Sequence, residues 1–167
     1  VVVESDCIAT LEFNPPPGIT VTLATGQSVT GEIDTDGDGV ADSEDLSPGD
    51  ASVATMDTPT GTGQVEVAVD SSSGTGATLS QCKSLDDSDI SLNQTDKPGD
   101  YAFPDGIVSF NVNGLPIGGT AVVIITFPTA IPAGSKYYKV NADGFYELLI
   151  GAEITTNTVT LTLVDGG

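Results

Sequence analysis

The residues best equipped for chemistry in this chain are carboxylates. Asp34 to Asp45 read DTDGDGVADSED, and counting from Asp34 as position one, carboxylates fall at 1, 3, 5, 9 and 12: Asp34, Asp36, Asp38, Asp42 and Asp45. Gly39 takes position six, where a loop of this kind turns sharply, and Val40 takes position seven, where a main-chain carbonyl is the ligand. Oxygens spaced in this way can converge on one hard divalent cation, so Ca2+ is the expected cofactor. A second acidic group, Asp86, Asp87 and Asp89, has no recognisable ligand spacing and is a weaker candidate for a second metal site.

Other chemistries are closed off by composition. The chain has no histidine, which excludes Ser-His and Cys-His nucleophilic catalysis and imidazole zinc sites. Paired carboxylates alone can hydrolyse glycosides, but Trp is missing and only five Phe and four Tyr are present to stack on sugar rings. No glycine-rich phosphate cradle precedes a helix. The expectation is a non-catalytic protein. With 24 Asp and Glu against four basic residues, Lys83, Lys97, Lys136 and Lys139, the formal charge is −20. Such a surface repels phosphate backbones, so nucleic acid is not an expected partner.

The chain must also supply elements that hold those carboxylates in place. Val65, Val67 and Val69 alternate with polar or small residues, as do Val159, Leu161 and Leu163 with threonines, and Ile19/Val21/Leu23 and Val108/Phe110/Val112 repeat the pattern. This period of two predicts half-buried strands. AVVIITF at 121–127 is apolar on both faces and suits a central strand. It is also the longest apolar run, and it is far too short for a membrane span. No stripe of period 3.6 extends beyond two turns. Turn signals at NPPPG, PDG, NG, PAG and ADG punctuate the runs, and NGLPIGGT at 113–120 reads as a hairpin connection.

The pattern predicts an all-β fold, an antiparallel β-sandwich of immunoglobulin-like or jelly-roll-like type with an inserted calcium-binding loop. A single domain over 1–167 is expected, interrupted by the acidic loop 34–50 and a long polar loop 84–104. Loops of the latter length are usually functional or tied down. Tyr137, Tyr138, Phe145 and Tyr146 form an aromatic concentration that reads as cross-strand packing.

Cys7 and Cys82 match no metal or redox spacing and form either one long-range disulfide or two buried thiols. The acidic, Thr/Gly/Ser-rich composition favours the disulfide. Closing that loop contributes roughly 4 kcal/mol in the chain-entropy model and implies an oxidising compartment. Asn93 begins an Asn-Gln-Thr triplet and is a candidate glycosylation site. The opening VVVESD has neither a basic start nor a signal-type apolar stretch and reads as a mature or trimmed terminus. The segment VVVESDCIATLEF, with Val1, Val2, Val3, Ile8 and Leu11, has strand character and is a candidate donor strand for a neighbouring sheet.

Two resemblances extend this reading. The acidic loop has EF-hand-type spacing but is followed at once by Leu46-Ser47-Pro48-Gly49, which leaves no room for a helix, and position eight is Ala41 rather than an aliphatic anchor. It resembles the DxDGDGxxDxxD units of thrombospondin type 3 repeats and dockerins. From Ala77 onward the chain resembles the choice-of-anchor U domain of bacterial secreted and surface proteins. The residues carrying that match are SLNQTDKPGDYAFPDGIVSFNVNGLPIGG at 91–119, TFPTAIPAGSKYYKVNADGFYE at 126–147 and NTVTLTLVDGG at 157–167. The resemblance implies export, display at the bacterial cell surface and no enzymatic activity. The resulting expectation is a calcium-stabilised extracellular structural protein, a homopolymer built by strand addition into a filament or pilus. The competing expectation is a calcium-dependent adhesive or carbohydrate-binding module with a polysaccharide partner.

Overall fold

The computed structural model describes residues 15–22, 28–70, 76–99, 101–141 and 143–164. The candidate donor residues Val1, Val2, Val3, Ile8 and Leu11, together with Cys7, lie outside them. The chain divides into two compact units, Val1–Ile33 and Asp34–Gly167. In the first, β1 (Thr20–Thr22) and β2 (Ser28–Thr30) form an antiparallel pair with Val21 opposite Val29.

The second unit is all-β, with no helix among the described residues. Its strands are β3 (Val53–Asp57), β4 (Gln64–Val69), β5 (Thr78–Leu85), β6 (Ile107–Asn113), β7 (Thr120–Thr126), β8 (Tyr138–Val140), β9 (Tyr146–Leu148), β10 (Glu153–Ile154) and β11 (Thr158–Val164). A five-stranded antiparallel sheet runs in the order β10-β11-β7-β4-β3. Two antiparallel ribbons, β5–β6 and β8–β9, complete the set.

The alternating residues decide which face is covered. Val65, Val67 and Val69 of β4, Ala121, Val123 and Ile125 of β7, and Val159 and Leu161 of β11 are buried on one face of the sheet. Leu79 and Cys82 of β5 join the same core, with Val108, Phe110 and Val112 of β6 packed against it. One core therefore lies between the five-stranded sheet and the β5–β6 ribbon, an arrangement compatible with a β-sandwich. The AVVIITF run lands on the central strand β7 as its composition requires. Its second face, carrying Val122 and Ile124, is half-buried.

One expectation is corrected. NGLPIGGT does not join a hairpin, because β6 pairs with β5 whereas β7 pairs with β4 and β11. Both strands direct an apolar face at the shared core, so the connection carries the chain from one layer to the other instead of folding it back edge to edge.

The long polar loop 84–104 is tied down. The Asp96 carboxylate accepts the Tyr146 amide of β9 at 2.9 Å, and the Asn93 amide donates to the Gly144 carbonyl. Tyr101 and Phe103 pack on Tyr138, and Phe103 packs on Tyr146, with ring centroids 5.5–6.4 Å apart. Lys97 and Lys136 lie over Phe103 and Tyr101. The expected cross-strand packing within this group is also corrected: Tyr138 lies opposite Leu148 and Tyr146 opposite Val140, and the rings instead pack on the loop, Tyr138 on Tyr101 and Phe103 and Tyr146 on Phe103, while Phe145 is exposed.

The period-two reading sets up a contrast in stability. Ile125, fully buried in the central strand, is expected to cost about 2–5 kcal/mol when changed to Ala. Glu66→Ala, on the exposed face of adjacent β4, is expected to stay within about 0.5 kcal/mol. Urea denaturation of the two variants checks the difference.

Candidate metal centre

The acidic loop folds by satisfying its own amides. Asp34 accepts the Gly37 and Gly39 amides on its two oxygens at 2.8 and 3.1 Å, Asp36 accepts the Asp38 amide at 3.2 Å, and Asp38 accepts the Val40 amide at 2.8 Å. These short-range bonds wrap the chain around its own carboxylates, as Asx turns do. One oxygen from each of Asp34, Asp36 and Asp38 lies within 4.8 Å of the others. Two unit negative charges at about 4 Å repel by about 4 kcal/mol at an effective dielectric of 20. The trio calls for a counter-charge.

The loop is fastened to two strands. In β5, Ser80 pairs with Asn111 and Lys83 with Ser109, so Gln81 and Cys82 oppose the single residue Phe110. This is a β-bulge, and Gln81 adopts φ 54°, a left-handed conformation uncommon for a residue with a side chain. The Cys82 amide donates to the Asp38 carbonyl at 2.9 Å. Gly39 sits so close to the bulge that a Cβ there would lie 2.7 Å from the Cys82 nitrogen. At the far end Asp45 accepts the Thr55 amide of β3 at 3.0 Å. Val40 drops its side chain into the core.

Three carboxylate oxygens are left over. One Oδ2 each from Asp36, Asp38 and Asp45 is buried with no hydrogen-bond partner. Asp38 is fully buried and Asp45 is 7% exposed. Burial pushes the Asp38 carboxyl up to about 6, the Val40 amide opposes the shift, and the charges of Asp36, Asp45 and Asp34 add to it. Burial and the same four aspartates push the Cys82 thiol up to about 12, so it stays protonated. A buried carboxylate with an unpaired oxygen costs free energy unless something compensates it. A divalent cation meets that requirement, and the donor set is all oxygen, which suits calcium.

The expected ligands divide by role. Asp34, Asp36 and Asp38 come together, and Asp45, buried with one unpartnered oxygen, is held to β3 by the Thr55 amide. Asp42 is turned elsewhere, since its two oxygens accept the Thr35 amide at 2.7 Å and the Thr35 hydroxyl at 2.6 Å. Position nine therefore closes the loop on itself. Asp86, Asp87 and Asp89 are used separately. Asp86 accepts the amide and hydroxyl of Ser88, and Asp89 accepts those of Ser91. Those bonds hold both carboxyls below the usual range. Asp87 is ion-paired with Lys97. Asn93 is half-buried and caps a turn by accepting the Thr95 and Asp96 amides. Cys82 is a free buried thiol among the described residues.

The features that sequence reasoning missed are those that dock the loop: the bonds from Thr35 and Thr55, the bulge at Gln81–Cys82, and the core anchoring by the Val40 side chain, of which only the carbonyl was singled out. One signal was present. In TLSQCKSL the buried pair is Leu79 and Cys82, three apart, and an unbroken strand cannot put such a pair on one face.

No protein-family model matches the chain, and comparisons with curated proteins and with solved structures likewise found no match. The resemblances to dockerin-type loops and to the choice-of-anchor U domain therefore rest on the quoted residues.

A calcium-ligand role for Asp38 predicts a crossing pattern. At calcium concentrations about a hundredfold above Kd, linkage adds about 2.7 kcal/mol to the wild type, or roughly 5–10 °C in Tm for a chain of this size. Asp38→Asn is expected to lose most of that rise, yet in chelator to be as stable as the wild type or more so, because a buried charge is gone. Thermal unfolding with calcium and with EGTA measures both. Equal destabilisation in the two conditions would assign Asp38 a purely structural role.

Proposed function

We propose that this chain is a non-catalytic, calcium-stabilised structural protein of the bacterial cell surface, and that it polymerises into a filament or pilus by strand addition. The observation that carries the calcium part is the set of buried, unpaired oxygens on Asp36, Asp38 and Asp45 within a loop fastened to β3 and β5. Asp34, Asp36, Asp38 and Asp45, with the Val40 carbonyl, are the proposed ligands. The ion stiffens a junction between two strands of different sheets and removes the repulsion among their acids. Affinities of roughly 10⁻⁴–10⁻³ M are typical of extracellular calcium modules, which suits permanent occupancy in a calcium-rich medium. The charge of −20 and the missing histidine support the extracellular, non-catalytic reading.

An adhesive module that holds a polysaccharide through its calcium needs the acidic loop beside an aromatic surface. The aromatic cavity of the second unit is lined by Tyr101, Phe103, Tyr137 and Tyr138 but by none of Asp34, Asp36, Asp38 or Asp45. That separation favours a structural ion over a ligand-bridging one.

Electron microscopy of the native protein tests the proposal. Ordered fibres in calcium that loosen or dissolve in chelator are the expected result. Uniform monomers in both conditions would overturn the polymer and shift the reading to a displayed binding module.

A further inference from the structure

A cavity of the second unit lies beside the ribbons. Its volume is about 760 Å³. The lining from β11 is alternate residues, Val159, Leu161 and Leu163, which is how a sheet presents a face. The lining from β6 is consecutive, Ile107 through Phe110, and β8 contributes all of Tyr138–Val140. Consecutive residues are what a strand presents at its edge. A face of β11 thus forms the floor, and edges of β6 and β8 form walls.

Those edges are open. Among the described residues β6 pairs only with β5, and β8 only with β9. The outer edge of β5, by contrast, is covered, since the amides of Leu79 and Cys82 donate to the Ala51 and Asp38 carbonyls. Val108, Phe110 and Val112 stay half-buried although they pack on the core. One further strand between β6 and β8 would pair with both and turn two ribbons into a five-stranded layer over the five-stranded sheet.

Charge around the slot narrows the occupant. Lys83, Lys136 and Lys139, three of the chain's four lysines, line it. None of the three is in an ion pair within 4 Å among the described residues, although Lys139 stands opposite Glu147 across β8–β9, the charge of Lys83 is felt by Asp89, and Lys136 lies on Tyr101. A strand with one apolar face and acids on the other would complement such a lining. In an extended chain the odd positions of Val1–Phe13 are Val1, Val3, Ser5, Cys7, Ala9, Leu11 and Phe13, apolar but for Ser5, and the even positions hold all three acids, Glu4, Asp6 and Glu12, beside Val2, Ile8 and Thr10. Its thirteen residues exceed the seven of β6.

We infer that the slot between β6 and β8 accepts the segment Val1–Phe13 of a second copy, whose apolar face covers β11 and whose acids meet Lys83, Lys136 and Lys139. This rests on the strand-addition reading above and names its acceptor. The contact joins unlike surfaces and so repeats from copy to copy. Main-chain hydrogen bonds to two edges provide affinity, and the lysines set orientation and partner choice.

The test uses the full-length chain in calcium, as an equal mixture of isotopically light and heavy protein, with photoreactive benzoylphenylalanine in place of Phe110. A second variant carries it in place of Ser109, at a half-buried edge position that tolerates change more readily. Irradiation is expected to give a ladder of covalent multimers, with mass spectrometry placing the links in residues 1–13 and joining light chains to heavy ones. Links to residues 1–13 confined within single chains would overturn the exchange between copies. Fibres by microscopy without links to residues 1–13 would overturn this acceptor while leaving the polymer standing, and absence of both fibres and links would overturn the two together. The double variant Lys136→Glu, Lys139→Glu is expected to raise the concentration needed for assembly about tenfold, through like-charge contacts with the incoming acids. An unchanged assembly concentration would remove the lysines from the inference.

Discussion

Burying like charges beside one another is the constraint on which the rest of this architecture depends. Asp38 is fully enclosed between neighbouring acids and the bulged strand β5, and its carboxyl is pushed up to about 6 by burial first and by its neighbours second. A chain that spent its main-chain amides on this loop without a counter-ion would gain turns and lose more in repulsion. The details of the loop make sense as a cradle. Asp34 and Asp42 use their oxygens to hold the backbone, whereas Asp36, Asp38 and Asp45 each keep one oxygen in reserve. A cation placed there links β3 to β5, two strands that share no hydrogen-bonded edge.

The same logic accounts for the irregularity in β5. A regular strand would keep its amides in register with β6 and would put Leu79, Gln81 and Lys83 on one face. The extra residue lets Leu79 and Cys82 both reach the core and turns the Cys82 amide toward the Asp38 carbonyl. The left-handed Gln81 stores local backbone strain, which the docked loop offsets. Strain and charge are concentrated at one place in the fold, and that place is the proposed ion site.

How much of this was legible in the sequence depends on the range of the interaction. Strands such as β4, β7 and β11 were readable because burial of Val67, Ile125 and Leu161 imposes a period of two on residues close in sequence. The carboxylate spacing was readable for the same reason, since a twelve-residue loop is a local object. What was not readable depends on partners far away in the chain. Asp42 fits position nine by spacing, yet Thr35 claims it. Asp45 is held by Thr55. Ala41 occupies the usual anchor position, and Val40 does the anchoring from the residue before it because β5 lies on that side. The turn chemistry of NGLPIGGT is the same whether the chain folds back on its own sheet or crosses to the other, so only the pairing of β7 with β4 and β11 decides between them.

The most direct measurement is a crystal structure of the protein grown in calcium, with anomalous scattering used to identify the ion. The account predicts one ion bound by Asp34, Asp36, Asp38, Asp45 and the Val40 carbonyl, the oxygens that lack partners on Asp36, Asp38 and Asp45 among them, at calcium–oxygen distances of about 2.3–2.6 Å, with Asp42 still held by Thr35. A loop that keeps its fold in saturating calcium with no ion, and with those three oxygens bonded to water or protein donors, would contradict it.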